Sequence, residues 1–194
     1  MTPEDVEIVE KTTAFQGYFH LDRYHLRFRL FDGGWSPVIS REIFERGHAV
    51  ALLLYDPERD EVGLCEQFRA GAHAAGWHPW LIEIPAGIID EGQSPDQVAI
   101  REAKEETGIE ISEVRRICNY LVTPGGSSET MQTYLARVDS RQLSGVHGLP
   151  EEAEDIRVFS APLSQALSWI EEGRICNSMT IIALYWLALH RDKL

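Results

Sequence analysis

Glu102, Glu105 and Glu106 crowd three carboxylates onto one helical turn, directly after a loop punctuated by Gly87 and Gly92. Residues three and four apart on a helix are neighbours, so these like charges cost roughly a few tenths of a kcal/mol per pair unless something cationic stands between them. A divalent ion would turn that repulsion into a site. Carboxylate and carbonyl oxygens suit hard cations such as Mg²⁺ or Mn²⁺, which also suit phosphate substrates. The glycines let backbone approach closely, where the Ala86 and Gly87 carbonyls could join the carboxylates. The same glutamate density also suits a solvated face laced with i,i+4 pairs, for which Gln97 with Arg101 and Arg101 with Glu105 are candidates.

The carrier of these acids is a well-signalled helix from about Pro95 to Thr107. Ser94 reads as its N-cap, with Gln97 completing a capping box and Pro95 at the first helical position. Asp96 suits the helix dipole, and Gly108 can close the far end in a left-handed conformation. Val98, Ala99 and Ala103 give it a small apolar face. Upstream, Ala49–Tyr55, Val62–Phe68 and Trp80–Ile84 are apolar runs expected to be buried strands, separated by Asp56-Pro57-Glu58-Arg59-Asp60 and by a loop over 71–79. Downstream, Val114–Val122 and Thr130–Val138 read as strands on either side of Pro124-Gly125-Gly126-Ser127-Ser128.

A long acidic loop follows, through Gly145, Gly148, Pro150, Glu151, Glu152, Glu154 and Asp155. It leads to a short strand near Arg157–Phe159 and two closing helices, Leu163–Glu172 and Ser178–His190. Near the start, Tyr24–Leu30 alternates apolar and polar residues before an Asp32-Gly33-Gly34 turn. That hairpin is too small to bury its own apolar face, so it should pack on the rest of the chain or on another subunit.

At 194 residues, 44% hydrophobic and 25% charged, the chain has the composition of a water-soluble globule. A chain this long buries roughly 70% of the surface of its unfolded form, enough for one domain with a small appendage. The net charge of −13, with 18 lysines and arginines, argues against a nucleic-acid or anionic-membrane surface. A phosphorylated small substrate stays compatible, its charge being met locally by metal ions. Cys65, Cys118 and Cys176 form no CxxC pair, which argues for reduced thiols and against zinc. No apolar run approaches the ~20 residues of a bilayer span and the N-terminus lacks a hydrophobic signal region, so a cytoplasmic location is expected. P-loop, Rossmann and nucleophile-elbow fingerprints are lacking, which removes several other enzyme classes.

Residues 87–109 resemble the Nudix box. The family pattern is Gly, five residues, Glu, seven residues, then Arg-Glu-apolar-any-Glu-Glu-any-Gly-apolar. Gly87, Arg101, Glu102, Ala103, Glu105, Glu106, Gly108 and Ile109 fall in register. Gln93 replaces the usual box glutamate, which in the family braces the arginine; Gln93 is expected to hydrogen-bond Arg101 in its place. The resemblance implies an α/β/α sandwich with mixed sheets at 47–194, preceded by a small antiparallel β segment at 1–46 in a dimer interface. It implies metal ligation by the Ala86 carbonyl, Glu102 and Glu106, with Glu105 supporting or bridging, and Mg²⁺ or Mn²⁺ with more than one ion per site.

Outside the box, four stretches are similar to the ADP-ribose diphosphatase branch: Arg41–Gly47, Glu66–Arg69, Pro124-Gly125-Gly126 with Ser128-Glu129, and His147-Gly148-Leu149 with Glu152 and Glu154-Asp155-Ile156. That branch cuts ADP-ribose into AMP and ribose 5-phosphate as a homodimer with N-terminal segment exchange. The resemblance makes Glu152 the base for the attacking water, in competition with Glu151 and Glu154. It makes Arg101 and Glu105 part of the catalytic centre and Arg69 a phosphate contact. Tyr18 and Arg41, with Glu42, would frame the adenine, and Pro124, Gly125, Gly126 and Glu129 would complete the substrate site. The rivals are another nucleoside-diphosphate compound as substrate (a nucleotide sugar, a dinucleotide cofactor or a diadenosine polyphosphate), and a non-catalytic sensor of ADP-ribose.

Overall fold

The computed structural model describes residues 1–194, which divide into two compact units: Met1–His48 with Leu121–Thr130, and Ala49–Tyr120 with Met131–Leu194. No helix is long and apolar enough to cross a membrane.

The smaller unit is built on a three-stranded antiparallel sheet in the order β1 (Val6–Gln16), β2 (His20–Phe28), β3 (Ile39–Glu45). The hairpin expected around Asp32 joins β2 to β3, and β1 is an additional strand that the period-two pattern conceals. Its register shifts between Ile8 and Glu10 and again between Thr13 and Phe15, and each shift reverses which residues share a face. Every residue of β1 is exposed. Asp22 is buried within this unit and offsets its desolvation with Lys11 at 2.8 Å and the Thr13 hydroxyl at 2.8 Å.

The larger unit carries a mixed sheet. Its strands are β4 (His48–Asp56), β5 (Glu61–Phe68), β6 (Trp80–Glu83), β7 (Ala86–Ile89), β8 (Arg115–Leu121), β9 (Thr130–Arg137), β10 (Gly145–His147) and β11 (Ile156–Pro162). The order is β10-β11-β5-β4-β9-β8, with β6 beside β5 and β7 beside β4, and β4 runs parallel to β9. β4 is buried from Ala49 to Asp56 on both faces, the signature of a central strand. Val50, Leu52 and Leu54 pack with Cys65, Val98, Ala99, Ala103, Tyr134 and Ile156, so one face meets the helix α2 (Pro95–Thr107). The alternate residues, including Leu53, face the other side, where α3 (Leu163–Glu171) and α4 (Ser178–His190) cover the sheet. The result is the expected α/β/α sandwich. A short helix, α1 (Ala70–Ala74), occupies the loop after β5.

Two side chains tie α4 to the sheet. Asn177 caps α4 by accepting from the Thr180 N–H and donates to the Ile82 carbonyl at 2.8 Å, while the Thr180 hydroxyl accepts the Ile84 N–H at 3.0 Å. Thr180 is fully buried. Thr180→Val keeps the shape but strands that donor, at a cost of about 1–3 kcal/mol. For a chain of this size the expected outcome is a Tm lowered by roughly 2–12 °C, read by circular dichroism; an unchanged Tm would remove Thr180 from the account.

Candidate active site

The helix boundaries fall where Pro95 and Gly108 set them, and Gly108 takes the left-handed conformation at φ 72°. The capping box does not form. The Ser94 hydroxyl turns to the Asp96 carboxylate, a closer competitor than the helix backbone. Gln93 likewise does not reach Arg101: its side-chain oxygen accepts the Asp90 N–H at 3.3 Å and closes the turn ahead of the helix.

Arg101 lies between two of the three glutamates, 2.7 Å from Glu102 and 2.6 Å from Glu105. Glu106 is buried and accepts the Ala86 N–H at 3.0 Å, so β7 and α2 meet through this carboxylate. Glu102 presses onto the backbone of Gly87. A Cβ at that position would stand 2.0 Å from the Glu102 Oε1, so any side chain there would displace Glu102 although the φ is ordinary.

Burial pushes the Glu102 carboxyl up to about 7, with Glu105 and Glu154 adding to the shift and Arg101 opposing it. Burial likewise pushes Glu106 up to about 8; Glu102 and Glu154 add to it, while the Ala86 N–H and Arg69 oppose it. The structure thus brings Glu102, Glu106, Glu154 and Arg69 into one electrostatic neighbourhood. No three acidic or histidine side chains converge as they stand on a point that could hold a cation. The donor set still fits a divalent ion. Glu106 is buried beside Glu102 with a backbone N–H as its donor and no salt bridge, so its negative charge is left without a paired cation.

The acidic loop is fastened to the end of α2. The Gly148 N–H donates to the Glu105 carbonyl at 3.3 Å, and His147 packs against Gly108. Within the loop, Glu154 accepts the Leu149 N–H at 3.1 Å and closes the turn that presents Glu152, which is exposed. Arg69 is half-buried at the end of β5, with its Nε 2.7 Å from the Glu83 carboxylate. Glu83 was not among the expected site residues. Its signal was a lone acid inside the apolar run Trp80–Ile84, a residue type that is almost never buried without a partner.

The remaining expected residues belong to the smaller unit. The Phe44 N–H donates to the Gly126 carbonyl at 2.8 Å, and the Ser127 hydroxyl donates to the Phe44 carbonyl at 2.9 Å, so the Pro124-Gly125-Gly126 loop is laced to β3. Glu129 is buried and faces Arg46 at 3.5 Å. Arg46 in turn lies over the ring of Phe19, which meets Tyr18 edge-on at 4.6 Å. Tyr18 is 90% exposed. Arg41 is exposed and donates to the Ser40 carbonyl, while Glu42 holds Arg23 at 2.8 Å.

A sequence model of the NUDIX domain matches residues 45–174, and Glu102, Glu105, Glu106, Glu152 and Glu154 fall inside it. The chain belongs to the NUDIX family. Among curated NUDIX relatives, the ADP-ribose pyrophosphatase of Escherichia coli (strain K12) is 48% identical over 190 residues, covering 98% of this chain and 91% of that protein. The ADP-ribose pyrophosphatase of Haemophilus influenzae (strain ATCC 51907 / DSM 11121 / KW20 / Rd) is 40% identical over 197 residues, covering 98% of this chain and 89% of that protein. The GDP-mannose pyrophosphatase of Citrobacter koseri (strain ATCC BAA-895 / CDC 4225-83 / SGSC4696) is 36% identical over 149 residues, covering 76% and 77%. A crystal structure described as an ADP compounds hydrolase shares the fold, with a TM-score of 0.75 at 19% identity over 100% of this chain and 97% of that one.

The raised Glu106 has a consequence for stability. Between the ordinary value of 4.5 and about 8 the folded chain binds more protons at this group than the unfolded chain, so this contribution to stability falls as pH rises through that window. In the presence of a chelator, Glu106→Gln is therefore expected to match the wild type near pH 5 and to exceed its Tm by several degrees at pH 8. Mg²⁺ is expected to raise the wild-type Tm at pH 8 and leave the variant's nearly unmoved. Parallel Tm curves for the two proteins would refute the reading.

Proposed function

We propose that this chain is a Mg²⁺-dependent hydrolase that cuts the diphosphate of ADP-ribose into AMP and ribose 5-phosphate. The observation that carries the reading is the 48% identity, over 98% of the chain, to a protein named ADP-ribose pyrophosphatase. The box supports it, because its glutamates and Arg101 lie together on α2 and beside the close-approaching backbone of Ala86 and Gly87.

In this reading the Ala86 carbonyl, Glu102 and Glu106 would hold the divalent cation, with Glu105 supporting, and more than one ion would bind per site. Mg²⁺, or Mn²⁺, supplies there the charge that offsets the phosphates and lowers the pKa of bound water. Arg101 keeps Glu102 and Glu105 in place. The Arg69 guanidinium donates to phosphate oxygens, a pairing whose fork geometry suits a diphosphate. Glu152, carried at the tip of the turn that Glu154 closes, takes the proton of the attacking water as its oxygen bonds one phosphorus. The bridging P–O bond then breaks, its electron pair leaving with the other phosphate. Tyr18, Arg41 and Glu42 frame the adenine, an aromatic ring suiting a purine face, and Pro124, Gly125, Gly126 and Glu129 bind the rest of the substrate.

The GDP-mannose pyrophosphatase relative favours a nucleotide sugar as the second reading. A panel of ADP-ribose, nucleotide sugars, dinucleotides and diadenosine polyphosphates with Mg²⁺, followed by phosphomonoester release, separates the two. ADP-ribose is expected to give the highest kcat/KM, and Glu152→Gln to lower kcat about 10²–10⁴-fold while substrate still binds. Faster turnover of another compound would replace the substrate. Turnover of none, with ADP-ribose still bound, would make the chain a sensor.

The same proposal makes the protein a cytoplasmic homodimer that exchanges its N-terminal segment. Its support is β1, exposed along its whole length and carrying Val6, Ile8, Val9 and Phe15 on its surface, a composition that unpaired edge strands avoid. Light scattering at micromolar concentration is expected to give twice the chain mass of 22.0 kDa; a monomer would exclude the exchange.

A further inference from the structure

We infer that Glu83 is a positioning residue that holds the Arg69 guanidinium in the attitude needed to receive the diphosphate, an inference that rests on the assignment of Arg69 as a phosphate contact. β5 and β6 are antiparallel, with Cys65 opposite Glu83 and Phe68 opposite Trp80. Opposed residues share a face of the sheet and side chains alternate along each strand. Cys65, Glu83 and Arg69 therefore lie on one face, the face that meets α2.

The backbone of Arg69 is pinned on both sides. Its N–H donates to the Pro79 carbonyl at 2.7 Å, and its carbonyl accepts the His73 N–H at 3.2 Å. The side chain is pinned once more, at Nε, by the Glu83 carboxylate at 2.7 Å. The ion pair engages Nε, and the side chains are 5% exposed for Glu83 and 40% for Arg69, so on this inference the outer donors of the fork go to the ligand. A ligand arginine fixed this way gives up little side-chain freedom when it binds.

Stability alone is a poor reason for the arrangement. Glu83 is 3% exposed, within a strand whose neighbours Ile82 and Ile84 are core residues. Desolvation raises its pKa even though Arg69 opposes the shift. A buried pair of this kind is often matched or bettered in stability by an apolar side chain of the same volume. What an apolar replacement cannot supply is an acceptor at the Arg69 Nε.

Glu83→Met and Glu83→Gln separate the two roles, since both fill the space and only the second keeps an acceptor. With full-length protein, Mg²⁺ and ADP-ribose, Glu83→Met is expected to lower kcat/KM about 10- to 100-fold, chiefly through KM, at a Tm no lower than that of the wild type. Glu83→Gln is expected to recover most of the loss. In an Arg69→Ala background, Glu83→Met is expected to change kcat/KM less than about twofold, because the residue acts through the arginine.

Wild-type kinetics for Glu83→Met beside a crippled Arg69→Ala would overturn the role of Glu83 alone, as would losses that add in full in the double variant. Wild-type kinetics for Arg69→Ala would overturn the phosphate assignment and this inference with it. Should Glu83→Met fail to fold, Glu83→Ala, which also removes the acceptor, decides in both Arg69 backgrounds. A deficit in kcat/KM that is present with Arg69 and absent without it supports the role, and no deficit, or an equal one in both, overturns it.

Discussion

Two carboxylates, Glu102 and Glu106, are held out of water within one turn of each other, and most of the local architecture answers to that fact. Desolvation works against their ionised forms, so the protein has to surround them with groups that tolerate or temper negative charge. Ala86 offers an N–H, Gly87 removes its side chain to let Glu102 lie against the chain, and Arg69 and Arg101 bring positive charge from two different elements. None of these neutralises the pair, and Glu154 makes the repulsion worse. A fold that keeps such a cluster gives up stability at neutral pH, the usual relation between a strained group and a functional site.

The helix and the central strands could be read from the chain because their signals are local. Pro95 and Gly108 terminate α2 by their own backbone preferences, and the unbroken apolar run of β4 admits no exposed face. β1 escaped because two register shifts scramble its alternation, and β7 because its few residues were read as glycine-bearing loop. The capping box failed for a different reason. Ser94 and Gln97 had the right spacing, but Asp96 offered the serine hydroxyl a carboxylate two residues away, and propensity rules do not rank such competitors.

At the site, residue types were legible and partners were not. That Glu102, Glu105 and Glu106 belong together followed from helical spacing. That Arg101 engages Glu102 as well as Glu105 did not, because both rotamers are open to an arginine. Arg69 shows the limit plainly: its partner Glu83 is fourteen residues away across a strand pairing, and only the register of β5 on β6 brings the two to one face. Gln93 shows the converse. The family position is occupied by a shorter-reaching interaction with Asp90, so the turn keeps its shape while the arginine is braced by other acids.

Gly108 is constrained twice over. Its left-handed backbone would admit asparagine, the common substitute at helix ends, yet any Cβ there would come within 2.8 Å of the His147 ring. A side chain there would have to move the His147 ring, so the position is restricted by its surroundings as well as by its backbone angle. Because His147 opens the acidic loop and Gly108 closes the helix, the two sets of acids share a single mechanical origin. Glu106 and Glu152, distant in sequence, are measured out from the same fixed point.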